Sequence, residues 1–232
     1  MVDKNQVKAL SKQNPIDHIV NSIKALVNIW PYGGGIISSL ISDYIPKSRE
    51  KKTIEFLSKV AEGLEALKDQ IDKDYIKSSE FEYLFQKAWR AAIEQYQEEK
   101  IEGFRAILLN SAIGKQATVE EKELFISILN DLTGYHFQML KLLQDPVNWS
   151  AQHGSPVKPA SITISLIQIF KQCFPDWDEE RIAIILDDLH TRKLIKISSD
   201  RIHTMLTGGG IEKLNSSLSS FGRRFIEYLM VS

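Results

Sequence analysis

The stretch RIAIILDDLHTRKLIKISSDRIHTML, Arg181 to Leu206, changes character part-way along, and that change decides how the second half of the chain is built. Up to Arg192 the apolar residues Ile182, Ile185, Leu186 and Leu189 recur at intervals of three and four, the spacing of one face of a helix. A helix is therefore expected from Asp178 to Arg192, with Glu179, Glu180, Arg181, Ile184, Asp187, Asp188 and Thr191 turned outward. From Leu194 the residues LIKISSDRIHTML read as short strand, and beyond the turn TGGG the segment IEKLNSSLS reads as strand again.

On the N-terminal side of this stretch a second helix is expected from Ser161 to Phe174, preceded by DPVNWSAQHGSPVKPAS. The three prolines and small polar residues of that segment mark an exposed Pro-rich loop at 145–160. On the C-terminal side SFGRRFIEYLM reads as a closing helix. Helices, strand, glycine turn and strand in this order are the order of a winged helix-turn-helix with a small β-wing, expected here over residues 133–232.

The first 132 residues read as a helical bundle. Ile54, Leu57, Val60, Ala61, Leu64, Leu67 and Ile71 place one long amphipathic helix between Ser48 and Asp72. Ser78 or Ser79 is a candidate N-cap for the next, with Phe81, Leu84, Phe85, Ala88, Ala92 and Tyr96 as its buried stripe. Ile101, Phe104, Ile107 and Leu108 form a further helix ended by Gly114. Thr118 and Glu121 are spaced as a capping box for another that runs to Leu132. Near the start, NIWPYGGGIISSL sets Gly33, Gly34 and Gly35 between two apolar runs. It lacks the Lys and Ser/Thr of a P-loop, and a hairpin or hinge near 31–36 is the expectation. The run 25–42 is uncharged, but its proline, glycines and serines break a span, so a membrane role is expected only on a conditional release of that hairpin.

With 43% hydrophobic and 25% charged residues the 232-residue chain matches globular usage and can bury a core, and its fold class is read as mainly α. A formal net charge of −1 supplies no global attraction to nucleic acid or anionic lipid. The N-terminus has neither the apolar core nor the cleavage site of a signal peptide, and a single cysteine, Cys173, cannot form an internal disulfide. A cytoplasmic location is expected.

Two resemblances add to this. LDDLHTRKLIKI followed by LSSFGRRFIEYL is similar to the end of many winged-helix domains. FQKAWRAAIEQYQEEKIEGFRAILLNSA, with FISILNDLTGYHFQMLKLLQ after it, resembles the middle of the bacterial abortive-infection alpha family, although that family's His-Pro pair is absent. The second resemblance implies a bacterial defence or stress-response protein with no recognised catalytic centre.

Residue chemistry points the same way. His18, His136, His153, His190 and His203 are scattered without metal-ligand spacing, although His136 and His203 are candidates to meet within the C-terminal module. There is no nucleophile elbow and no HExxH, and Asp187 and Asp188 read as a solvated pair on a helix. No catalytic residue, cofactor or metal is assigned, and no enzyme is expected. Four acids and one arginine on the outward face of 178–192 have the wrong sign for phosphates. The expected partner is therefore another protein, met by Arg181, Ile184, Asp187, Asp188 and Thr191. A DNA-binding regulator and a conditional membrane-perturbing effector are the alternatives.

Overall fold

The computed structural model describes residues 47–153, 164–206 and 210–230. The expectations for Gly33, Gly34 and Gly35, for the apolar run 25–42, for residues 154–160 of the Pro-rich loop and for residues 207–209 of the TGGG turn lie outside those residues. The described chain is mainly helical and divides into two compact units, the first ending at Asn130 and the second running from Asp131 to Met230.

In the first unit α1 (Lys47–Ala66), α2 (Ser79–Glu94) and α3 (Glu98–Ala112) pack against one another, and α4 (Val119–Asp131) follows. Ser78 starts α2 by accepting the Phe81 N–H, and Glu80 and Glu82 in the first turn complement the helix dipole. Phe56, Val60, Phe81, Phe85, Trp89 and Phe104 are buried, each large apolar side chain contributing ~1.5–3 kcal/mol. Gly63 allows α1 to approach α3 closely, since a Cβ there would sit 2.4 Å from Leu109 Cδ1. The Arg105 Nε then donates to the Lys59 carbonyl at 2.8 Å. Gly114, at φ +70°, turns the chain out of α3 as only glycine does without strain.

In the second unit α5 (Gly134–Gln144) and α6 (Pro146–Gln152) precede β1 (Ile164–Ser165), α7 (Leu166–Cys173), α8 (Glu179–Thr191), β2 (Met205–Leu206) and α9 (Ser220–Tyr228). β1 pairs antiparallel with β2 in the register Ile164 to Leu206 and Ser165 to Met205. Leu140, Leu143, Phe170, Leu186, Leu189 and Phe225 are among its buried residues. Gly222 lets α9 lie on the backbone of Leu194, where a Cβ would meet the Leu194 oxygen at 2.0 Å.

Several boundaries differ from the sequence pattern. The first long helix stops at Ala66 instead of Asp72, and Asp72 turns its N–H to the Ala112 carbonyl at 2.8 Å. Tyr96 is 84% exposed, because α2 ends at Glu94 and Gln95 is extended; Trp89 and Ile93 are buried with the stripe. The Pro-rich segment is not loop throughout. Asp145 caps α6 by accepting the Asn148 N–H, Pro146 occupies its first turn where a missing N–H costs nothing, and Trp149 is buried. α7 begins at Leu166 because Ser165 caps it in a reciprocal capping box with Gln168. The segment after the glycines is a 3₁₀ helix, Gly210–Ser217, in place of a strand, and its extended contact is a single antiparallel bridge of Ile195 to Leu218.

Candidate partner-binding face

Asp178 starts α8 by accepting the Arg181 N–H at 2.7 Å, and Ile182, Ile185, Leu186 and Leu189 turn inward as their spacing requires. Lys193 then adopts a left-handed conformation, φ 62°, and reverses the chain toward Ile195. Of the outward residues, Arg181 is half-buried, Ile184 is 60% exposed, and Asp187 and Thr191 are exposed. Arg181, Ile184, Asp188 and Thr191 follow one helical stripe, while Asp187 lies beside it.

Asp187 is solvated as expected and Asp188 is half-buried, and both are engaged by neighbouring groups. Asp187 accepts the Ser199 N–H at 2.8 Å and its hydroxyl at 2.7 Å, and these bonds, the hydroxyl first, hold its carboxyl below the usual range. Asp188 accepts from Arg192 Nε at 3.1 and 3.2 Å and faces His136 Nε2 at 3.0 Å, while Arg192 also reaches Asp131 at 3.1 Å. α8 is tied by these groups to the start of α5 and to the turn Ser199–Arg201.

His136 is 6% exposed and closes a capping box with Thr133, whose N–H donates to Nδ1 at 3.0 Å. With Nδ1 accepting from the Thr133 N–H, it is Nε2 that lies near Asp188. Thr133 Oγ1 lies 2.8 Å from Nδ1, so acid, imidazole and hydroxyl are aligned. The hydroxyl is committed to the cap, and Nδ1 cannot take its proton without losing the Thr133 N–H, which makes the alignment a positioning device for α5. His203 pairs with Glu179 at 3.1 Å, so the two histidines serve different carboxylates.

Next to this network runs a row of aromatic rings. The Arg181 guanidinium lies 5.2 Å from the Tyr135 ring centroid, and Tyr135 meets Trp177 edge-on at 5.2 Å. Trp177 stacks on Phe174 at 4.1 Å, Phe174 meets Trp149 at 5.0 Å, and Trp149 stacks on His153 at 4.0 Å. Trp149, Phe174 and Trp177 are buried, whereas Tyr135 is 45% exposed. The result is an exposed Tyr, Arg and Ile set on a base of packed rings and ion pairs. Sequence reading missed Tyr135, His136 and Arg192 as members. The Thr133-to-His136 spacing is a capping-box interval, but His there is not the usual Glu or Gln.

Elsewhere the chemistry is quieter. Cys173 is 5% exposed and burial pushes its thiol up to about 12. In the first unit a pocket of about 240 Å³ has Phe56, Ala92 and Ile101 in its lining, but Lys59 on its rim is held by Glu98 and Glu102. Among the described residues no group of three or more His, Cys, Asp or Glu is placed to hold a metal ion, and no helix is long and apolar enough to cross a membrane.

Compared with protein-family models, curated proteins and solved structures, the chain matches none.

Proposed function

We propose that the chain acts without catalysis, by docking another protein on the α8 face of its C-terminal unit. The order α7, α8, the Ile195 to Leu218 bridge and α9 supports a winged-helix-like reading of residues 133–232, with α8 in the recognition position. The abortive-infection resemblance supports placing that docking in a bacterial defence or stress response.

The observation that carries the reading is Ile184, 60% exposed one turn from an Arg181 already stacked on half-exposed Tyr135. Tyr and Arg are, with Trp, the side chains enriched at binding hot spots, and an apolar residue one turn along supplies the buried centre such a spot needs. Asp188, Arg192 and Trp177 hold this set in place before any partner arrives, which lowers the ordering cost of binding. Acids on the rim at Glu180 and Asp187 favour a partner with a basic border.

The test is to recover the partner from the native cell on the full chain, identify it, and titrate it against Ile184→Asp and Tyr135→Ala. Each change is expected to weaken the complex at least tenfold while the melting temperature stays unchanged. Equal affinity in both variants would refute the assignment of this face.

A further inference from the structure

The basic residues of the C-terminal unit lie in two separate stretches of sequence, and the fold joins them. Lys193 and Lys196 follow α8; Arg223 and Arg224 lie in the first turns of α9. Ser219 donates its N–H to the Leu194 carbonyl at 3.0 Å and its hydroxyl to the Lys193 carbonyl. Lys196 donates its N–H to the Ser217 carbonyl at 2.7 Å and its ammonium to the Ser216 carbonyl at 3.1 Å. The Arg223 guanidinium donates to the Asn215 carbonyl. Lys196 and Arg223 thus reach adjacent carbonyls, the backbone bonds bring Lys193 into the same region, and Arg224 follows Arg223 with its guanidinium over the Phe221 ring; all four are exposed.

Charge is left over here. Lys59, Lys87, Lys122, Arg105 and Arg192 each have a carboxylate partner. Among the described residues Lys193, Lys196 and Arg223 form no ion pair; Lys196 and Arg223 spend part of their donor sets on backbone carbonyls. Glu227, the acid of α9, lies one turn beyond.

We propose that this surface docks the phosphate backbone of duplex DNA, separately from the α8 face. Lys196 and Arg223, anchored on main-chain carbonyls, with the exposed ammonium of Lys193 suit a line of regularly spaced single charges, and each phosphate met releases condensed counterions. The apolar side chains Phe225, Ile226 and Tyr228 of α9 are buried and Phe221 is half-buried, which leaves this helix little apolar surface to insert into lipid. Phosphate contacts carry no sequence information, and binding through this patch is therefore expected to be independent of sequence. The wrong-sign argument drawn from α8 does not apply to it, because these cations stand on other elements.

The experiment is fluorescence anisotropy of a labelled DNA duplex of arbitrary sequence with the full chain, between 20 and 200 mM salt. Binding at low salt is expected, with a slope of log affinity against log salt near about −3 for three neutralised phosphates. Lys196→Gln with Arg223→Gln should weaken binding at least tenfold and flatten the slope by about two. Lys193→Asn, which keeps a residue tolerant of positive φ, should reduce both to a lesser degree, and it remains informative if the double variant folds poorly. Lys171→Gln on α7, outside the patch, should leave binding unchanged. No binding at 20 mM salt, or an unaltered slope in the well-folded variants, overturns the proposal. So does tighter binding to polyglutamate or to phosphatidylglycerol vesicles than to DNA. Ile184→Asp should not alter the titration, which separates this result from the fate of the α8 docking face.

Discussion

Asp188 Oδ2 stands 3.0 Å from His136 Nε2, and the Nδ1 of the same ring accepts the Thr133 N–H that opens α5. One side chain of α8 thereby fixes the start of another helix, and it also receives Arg192. Removing Asp188 takes away the carboxylate that accepts from Arg192 and lies beside a buried imidazole. Asp188→Ala is expected to cost about 1–3 kcal/mol, and Asp187→Ala, which loses two bonds from Ser199 on the surface, about 1 kcal/mol. Urea denaturation of both variants checks this; values within ~0.5 kcal/mol of the parent, as for ordinary surface sites, would contradict it.

The two close glycines predict different severities. Alanine at Gly222 would bring Cβ to 2.0 Å from a backbone oxygen, which cannot yield without moving α9 or the Leu194 segment. Alanine at Gly63 would meet Leu109 Cδ1 at 2.4 Å, the end of a side chain that can rotate. Gly222→Ala should destabilise by more than ~3 kcal/mol and Gly63→Ala by about 1–2 kcal/mol. Thermal melts of the pair read the order directly, and the reverse order would show that the α9 contact is misassigned.

Cys173 should be inert. With its thiol pushed up to about 12 by burial, only about one molecule in ten thousand carries a thiolate at pH 8. Alkylation by iodoacetamide is expected to be negligible in the native protein and rapid in urea. Native labelling at the rate of a free thiol would contradict the burial.

Acid should destabilise the protein through identifiable carboxylates. The hydroxyl and N–H of Ser199 lower the pKa of Asp187; the Tyr83 hydroxyl and then Lys87 lower that of Glu123. For Glu102 burial acts upward, and Lys59 with Arg105 outweighs it. A carboxyl depressed in the folded state contributes stability that is present above its unfolded value, about pH 4, and is lost as pH falls through the folded value. The urea midpoint should therefore drop between pH 5 and pH 2, and Asp187→Asn should make that drop shallower. An unchanged pH profile in the variant would remove Asp187 from the account.

How far the fold was legible follows from which forces were local. The inward stripe of α8, the Ser78 cap and the stop at Gly114 are set by spacing and backbone freedom within a few residues, and each was readable. The α6 helix was hidden because Pro146 reads as a loop signal unless Asp145 is recognised as its cap. The 3₁₀ helix Gly210–Ser217 was hidden because a short polar-apolar mixture has no decisive period. Ile184, Arg181 and Asp187 were found as outward residues, but the bonds that hold Asp187 and half-buried Asp188 were not. Their partners, Ser199 and His136, come from elements that helical spacing cannot align. Lys193 and Arg223 stand on separate stretches of sequence, and the bond of Ser219 to Leu194 that joins them is likewise tertiary.

The most direct test of the docking account is site-specific photocrosslinking in the native cell, with benzoylphenylalanine placed at Ile184 and, as a control, at exposed Gln138 on α5. The account predicts one discrete protein adduct from position 184, lost when Arg181→Glu is added and absent from the control position. No protein adduct at 184, or the same adducts from both positions, would contradict it.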